Sequence, residues 1–297
     1  MKRYMGGGSV SVLVWSAAVT AGVTLAGCAA WAPLFDEVRV VEADYGEAMG
    51  IDVKTRNGRI SVERADVQLV EINATIKARS EERLQNTRVV AEHDETGTLV
   101  VRVEWPDGKR KNREGCSFEI RTPGAYGVAL DSSNGSLRIR GLSGEAVLDS
   151  SNGSLTVEDH QGDVQAYTSN GAITLNGIDG SVTADTSNGK VRVLDVAGSV
   201  DVDTSNGSVT VELAADSRGP VRADTSNGSV NLVVNEQFVG ELVLDTSNGG
   251  ISFDAPATVS RVSTRRNHAV LQFGEGGPKS VVSTSNGSIK VRTRSSE

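Results

Sequence analysis

Val182-Thr183-Ala184-Asp185-Thr186-Ser187-Asn188-Gly189-Lys190-Val191-Arg192-Val193 alternates apolar and polar residues with period two on both sides of an Asn-Gly pair. Such alternation describes two short β-strands, each with one buried face, joined at a tight corner. Val182, Ala184, Thr186, Val191 and Val193 fall on the inward side, and Asp185, Lys190 and Arg192 on the outward side. The same phrase returns with its asparagine at Asn134, Asn152, Asn170, Asn188, Asn206, Asn227, Asn248 and Asn286, at intervals of 18, 18, 18, 18, 21, 21 and 38 residues. Midway across the last interval, Asn267 in Arg265-Arg266-Asn267-His268 keeps the register without the serine and glycine. A period near 20 residues is the mark of a repeat protein, in which each unit buries its apolar side only against its neighbours.

A second glycine recurs eight residues before the asparagine, at Gly144, Gly162, Gly180, Gly198, Gly219 and Gly240. Each period is therefore two strands and two corners. The 21-residue units carry their extra residues before this glycine, as in Ala214 to Gly219, so they lengthen a loop and leave the strands alone. Two architectures share this parity. In a β-solenoid of 18–21-residue coils with two strands per coil, identical positions stack at the ~4.8 Å strand spacing. In an antiparallel meander each Asn-Gly is a hairpin turn that pairs Thr186 with Val191. The solenoid is favoured, because a flat meander of more than about fifteen strands leaves one face without a core unless it closes.

The repeat register also fits Asn57, so the coils begin near residue 50. The 77 residues between Asn57 and Asn134 span roughly four periods whose phrase has diverged. Within them Val67 to Ala78 reads as a strand, Ser80 to Gln85 as a short helix, and Thr87 to Trp105 as a hairpin turning at Asp94 to Gly97. Lys109, Arg110, Lys111 and Arg113 mark a solvated basic loop.

A short positive region, Lys2-Arg3, precedes the apolar stretch Val10 to Leu25, which ends in Leu25-Ala26-Gly27-Cys28. These four residues resemble the lipobox of bacterial lipoproteins. The resemblance implies that the Cys28 thiol receives a diacylglycerol and that cleavage makes Cys28 the first residue of the mature chain. Residues 1–27 are then a leader, 28–36 a lipidated tether, 37–127 a divergent β region and 128–297 the regular repeats. Acyl chains contribute about 0.8 kcal/mol per buried methylene, enough for several to hold a protein on a bilayer without a spanning helix. Ala29, where enterobacterial inner-membrane lipoproteins carry aspartate, points to the outer membrane of a bacterial cell envelope. Cys116 is the one other cysteine, so no intrachain disulfide is expected.

A net charge of −8 argues against nucleic acid as a partner, which calls for clustered Lys and Arg. His93, His160 and His268 are far apart in sequence and read as solvated surface residues. The outward position three before the asparagine holds Asp131, Asp149, Tyr167, Asp185, Asp203, Asp224 and Asp245. A solenoid lines these up as a column. Each aspartate is expected to accept a hydrogen bond from the Ser-Asn corner backbone; the six carboxylates also offer a ladder for a divalent cation such as calcium. No other cofactor is expected. Hydrolysis of a glycoside needs two carboxylates in different environments, and these are equivalent by repetition. The threonines Thr168, Thr186, Thr204, Thr225 and Thr246 fall on the inward side, which removes them as an exposed ligand array.

The lipobox followed by Asp-Thr-Ser-Asn-Gly-Ser-Val strands resembles the bacterial "putative adhesin" family of β-strand-repeat domains of unknown function, over about residues 45 to 294. The resemblance implies a β-solenoid and carries no catalytic residues. The expected function is a noncatalytic, lipid-anchored envelope scaffold that binds an envelope polymer, either a glycan, or an envelope protein, with the membrane engaged through the N-terminal lipid. A carbohydrate-active β-helix enzyme and a cation-stabilised spacer are the alternatives. The outward residues that vary, Arg138, Arg140, Tyr167, Arg192 and Arg265-Arg266, are the candidates for contact with a ligand.

Overall fold

The computed structural model describes residues 13–17, 34–46, 49–254 and 259–294. Cys28 and its lipobox lie outside the described residues. Strands dominate, and each regular coil contributes one strand to each of two columns that enclose a single apolar core. Strands one period apart pair in parallel: Val182 lies beside Val200 and Thr186 beside Thr204, while Val191 lies beside Val209. Thr186 does not pair with Val191, so the chain is a solenoid and the meander is excluded.

The first column runs through Ile51–Asn57, Tyr126–Asn134, Ser143–Ser150, Val164–Thr168, Val182–Thr186, Val200–Thr204 and Val221–Thr225. The second runs through Ile60–Arg64, Leu137–Arg140, Leu155–Gln161, Ile173–Asp179, Val191–Val196, Val209–Leu213 and Val230–Val234. Val, Ile and Thr suit these strands because their branched side chains pack on a pleated, half-buried surface. Inward residues such as Leu148, Val157, Val193 and Val211 are fully buried.

Three local interactions explain the repeated phrase. The inward threonine or serine donates across to the corner glycine carbonyl of the neighbouring coil, as Thr186 Oγ1 does to Gly171 O at 3.2 Å and Ser150 Oγ to Gly135 O at 3.2 Å. A buried hydroxyl needs such a partner. The asparagine amides form a continuous ladder: Asn188 Nδ2 donates to Asn170 Oδ1 at 2.9 Å, and Asn206 Nδ2 to Asn188 Oδ1 at 3.0 Å. The corner glycine is set by close approach, since a Cβ on Gly189 would lie 1.8 Å from Gly171 O.

Both ends depart from the expected periodicity. The 77 residues between Asn57 and Asn134 are not four diverged coils. Ile51–Asn57 pairs directly with Tyr126–Asn134, and Asn134 Nδ2 donates to Asn57 Oδ1 at 2.8 Å, so these two coils are stacked neighbours. The intervening chain makes a cap, in which Gly115–Thr122 and Leu99–Glu104 each add one parallel strand. Antiparallel strands Val70–Ala78 and Phe35–Ala43 follow on one column, and Arg88–His93 on the other; Leu13–Ala17, inside the segment read from the sequence as a leader, pairs antiparallel along the outer edge of Phe35–Ala43. The short helix is Glu81–Asn86, capped by Ser80, whose side chain accepts from Arg83 N. The basic loop is anchored from beneath by Glu114, which is fully buried. Its carboxylate takes both Nε and Nη2 of Arg83, at 2.7 and 2.8 Å, and the N–H groups of Lys111 and Arg79.

At the other end the chain does not stack in sequence order. Ser280–Thr284 inserts between Val221–Thr225 and Gly240–Thr246, and Ile289–Thr293 inserts likewise between Val230–Val234 and Ile251–Phe253. Asn267 is no coil corner. Arg266 and Asn267 form the turn of an antiparallel hairpin, Val259–Arg265 with His268–Phe273, that closes the first column against Gly240–Thr246.

Candidate functional site

The outward residues three before each asparagine form one uninterrupted register row. In spatial order it reads Arg102, Lys54, Asp131, Asp149, Tyr167, Asp185, Asp203, Asp224, Ser283, Asp245, His268, Arg265. All six aspartates therefore share one face, as expected, and cations flank the acidic run at both ends. Tyr167 and Ser283 divide it, leaving Asp185, Asp203 and Asp224 as the longest unbroken stretch.

The aspartates are not held as expected. Among the described residues none accepts from the Ser-Asn backbone; the corner is filled by the asparagine ladder. Instead Asp224 Oδ2 accepts from Ser283 Oγ at 2.7 Å, and His268 Nδ1 lies 2.6 Å from Asp245 Oδ1. Partial burial, reinforced by Asp224 and Asp185, pushes the Asp203 carboxyl above its ordinary range. Partial burial and then Asp149 do the same at Asp131. Among the described residues no three His, Cys, Asp or Glu side chains converge into a group that could hold a metal ion.

Around Asp224, Ser283, Asp245 and His268 the surface forms a cleft of about 310 Å³. Its composition is that of a serine hydrolase, but its connectivity is not. Ser283 donates to Asp224, and its strand is separated from that of His268 by the strand of Asp245. Nucleophilic activation calls for a hydrogen bond from the hydroxyl to its base.

The opposite column presents a different face. Arg138 is exposed and gives Nη2 to Glu158 Oε2 at 2.6 Å; Arg140 Nε lies 4.0 Å from the same carboxylate and 3.8 Å from Asp159. Arg121 reaches Glu71 at 3.0 Å. A cleft of about 610 Å³ on this face includes Arg59, Ser61, Glu63, Arg121 and Arg138. Arg192 is exposed between Thr174 and Thr210 in the next rows. Tyr167 is half-buried and donates its hydroxyl to Gln165 Oε1 at 3.1 Å. Arg265 and Arg266 are exposed at the hairpin.

The histidines correct the sequence reading in part. His160 is no surface residue: it is 1% exposed, with Nε2 2.8 Å from Gly144 O, because Asp159, at φ 54°, breaks the alternation set by the inward Leu155 and Val157 and turns the next side chain inward. Burial lowers its pKa. Cys116 is also fully buried, and burial pushes its thiol far up. Among the described residues no helix is long and apolar enough to cross a membrane.

This two-column solenoid, with one rung per repeat and antiparallel caps, coincides with the reach of a known family, whose description is Toastrack DUF4097 and which matches residues 38–292. The chain belongs to the Toastrack family. The family is a domain of unknown function. Among solved structures this Toastrack chain is similar to the "putative adhesin" of Bacteroides fragilis, at 15% identity over 87% of this chain and 97% of that one, with a TM-score of 0.45. It is also similar to a "putative cell adhesion protein" of Clostridium sporogenes, at 12% identity over 88% of this chain and 100% of that one, with a TM-score of 0.25. A comparison with curated proteins gives no match.

Proposed function

We propose that this Toastrack protein is a noncatalytic scaffold, anchored to the bacterial envelope through a lipid on Cys28, that binds an envelope polymer or protein along its exposed ladders. One observation carries the reading. The outward side chains repeat row after row at a single strand spacing, so the molecule offers long, flat, regular surfaces on which an extended partner can lie. Chemistry at a point needs nonequivalent groups brought together, whereas repetition makes neighbours alike. The strand Phe35–Ala43 starts seven residues after Cys28, which sets the capped N-terminal end close to the bilayer. Outer-membrane placement follows from Ala29 and belongs to the same proposal.

Two measurements test it. Intact mass of the protein from an envelope fraction should show cleavage before Cys28 and the added acyl mass, and a Cys28→Ala variant should keep the leader and lack the lipid. Pull-down of envelope glycans and proteins with the purified full chain should retain at least one partner. An unlipidated chain, or one that retains nothing, sinks the corresponding half of the proposal.

A further inference from the structure

The glycine column eight residues before the corner asparagines gives way to Pro278 before Asn286 and stops at residue 126, where Tyr126 stands eight before Asn134. From Gly144 to Gly198 the glycines leave room only for backbone: a Cβ on Gly162 would lie 2.2 Å from Gly144 O. Tyr126 stacks instead on the coil of Asn57, where Met49 holds the position eight before the asparagine, and its N–H donates to Met49 O at 2.9 Å. The ring is 66% exposed in a chain with only 4% aromatic residues. Tyr45, also exposed, lies across the same opening, its hydroxyl packed over Gly124. The two tyrosines border a cleft of about 500 Å³ whose polar side chains include Arg64, Asp159 and Gln161. Arg64 and Gln161 are exposed, and among the described residues Arg64 makes no ion pair.

We propose that this cleft is a saccharide subsite, which takes a pyranose unit of a polysaccharide. Tyr126 stacks on the apolar C–H face of the ring, Arg64 and Gln161 donate to its hydroxyls, and Asp159 accepts from them. A tyrosine presents an apolar plate with a polar tip, the same division as a sugar ring with its C–H face and hydroxyl edge. A protein partner calls for a fully desolvated apolar centre, and this lining is mostly polar around two separate rings. A phosphate-rich polymer calls for several cations, and the lining of this cleft holds one, Arg64, together with the carboxylate of Asp159. The strand Ile60–Arg64 links this cleft to the 610 Å³ cleft, which its residues Ser61 and Glu63 line. At ~3.3 Å per residue that strand spans roughly 16 Å, so a chain of several sugar units has a continuous path.

The inference rests on the scaffold reading and names its ligand class. The test is affinity electrophoresis of the full chain in detergent, in native gels that contain hydroxyethyl cellulose or glycol chitin. The wild type should be retarded in at least one gel. Tyr126→Ala should weaken retardation at least tenfold, Tyr45→Ala/Tyr126→Ala should abolish it, and Tyr126→Trp should restore it, with all melts unchanged because both rings are exposed. A double variant retarded as strongly as the wild type overturns the subsite and leaves the scaffold reading standing. A wild type that neither polymer retards, while pull-down still captures an envelope protein, overturns the saccharide class alone.

Discussion

Asn286 donates its side-chain amide to Asn227 Oδ1 at 3.0 Å, although 59 residues separate them and Asn248 lies between them in sequence. Asn248 in turn donates to Asn286 Oδ1 at 3.0 Å. The last coil of the chain is thus the seventh rung of the regular ladder, counted from Asn134, and the coil of Asn248 is the eighth.

Removal of residues 279–297 should therefore do more than shorten the solenoid by one terminal unit. It takes a rung from the interior, bares the edges of Val221–Thr225 and Val230–Val234, and separates Gly240–Thr246 and its hairpin from the stack. Hydrogen exchange should show lost protection from residue 221 to 254, and aggregation should rise because open strand edges recruit other chains. Protection retained over 240–254 in the truncated chain would contradict the inserted rung.

The corner predicts a sharp contrast between two glycines. Gly189→Ala places a Cβ against Gly171 O, a backbone atom that cannot move without shifting its coil, whereas Gly250→Ala meets nothing within 4 Å. The first should destabilise by about 2–3 kcal/mol or more, and the second should stay within about 0.5 kcal/mol. Thr186→Val keeps the shape and leaves the Gly171 carbonyl without its donor, at a cost of about 1–3 kcal/mol. Denaturant melts of the three variants check the order, and equal effects of the two glycine changes would refute the close-approach account.

These contrasts also show what the sequence made legible. Thr186, Asn188 and Gly189 could be assigned because period two and period 18 force them to an inward position and a corner, and the same rule places Asp203 outside. Stacking order could not be read, because every rung presents the same Asn and Thr to either neighbour; nothing in Asn286 distinguishes Asn227 from Asn248 as a partner. Asn267 kept the spacing while serving a hairpin, since a two-residue antiparallel turn also suits asparagine. The cap lost the phrase for a physical reason: its antiparallel strands do not stack like on like, so Glu114 and Arg83 left no periodic trace. Tyr126 was readable as the break in the glycine column, and only the fold revealed Tyr45 beside it.

Glu114 should control acid stability at the capped end. Burial alone would raise its pKa, but Arg83 and the N–H groups of Lys111 and Arg79 outweigh burial and hold it at about 2, below the ordinary 4.5. A depressed acid binds its proton more weakly in the folded state, so its contribution is present above pH 4.5 and is lost as pH falls toward 2. Glu114→Gln should destabilise at pH 7 by about 3–5 kcal/mol, because it strands a buried guanidinium, and the deficit should shrink in melts taken at successively lower pH through this window. A deficit that stays constant to pH 2 would show that packing, not charge, is what Glu114 supplies.

Cys116 offers a probe of the same region. It is fully buried, and burial pushes its thiol pKa well above the ordinary range. A thiol reacts as its thiolate, so iodoacetamide should leave Cys116 unmodified at pH 8 in the native protein and label it on unfolding. In the Glu114→Gln variant labelling should accelerate, because Cys116 lies two residues along the same segment. Rapid labelling of the native wild type, read by mass, would contradict the closed cap.

The aspartate row yields a change that should stabilise. Asp203 sits between Asp185 and Asp224 at the centre of the longest unbroken acidic stretch, and its pKa is raised by partial burial and by those two neighbours. A raised acid binds its proton more tightly in the folded state, so the penalty is full above the folded pKa and vanishes below the unfolded value. Asp203→Asn should therefore raise the melting temperature at pH 7 and leave it unchanged at pH 3. Two like charges one strand away repel by about 0.9 kcal/mol each in water, and exposure and salt reduce the net gain to about 0.5–1 kcal/mol. The gain should shrink further in 0.5 M sodium chloride. Tyr167→Asp, which joins Asp149 to Asp185 in an unbroken row, should do the reverse, lowering the midpoint at pH 7 and restoring it with salt. If calcium raises the wild-type midpoint and a chelator reverses it, the row is a cation ladder and Asp203→Asn should abolish that response; an unchanged midpoint removes the cation ladder.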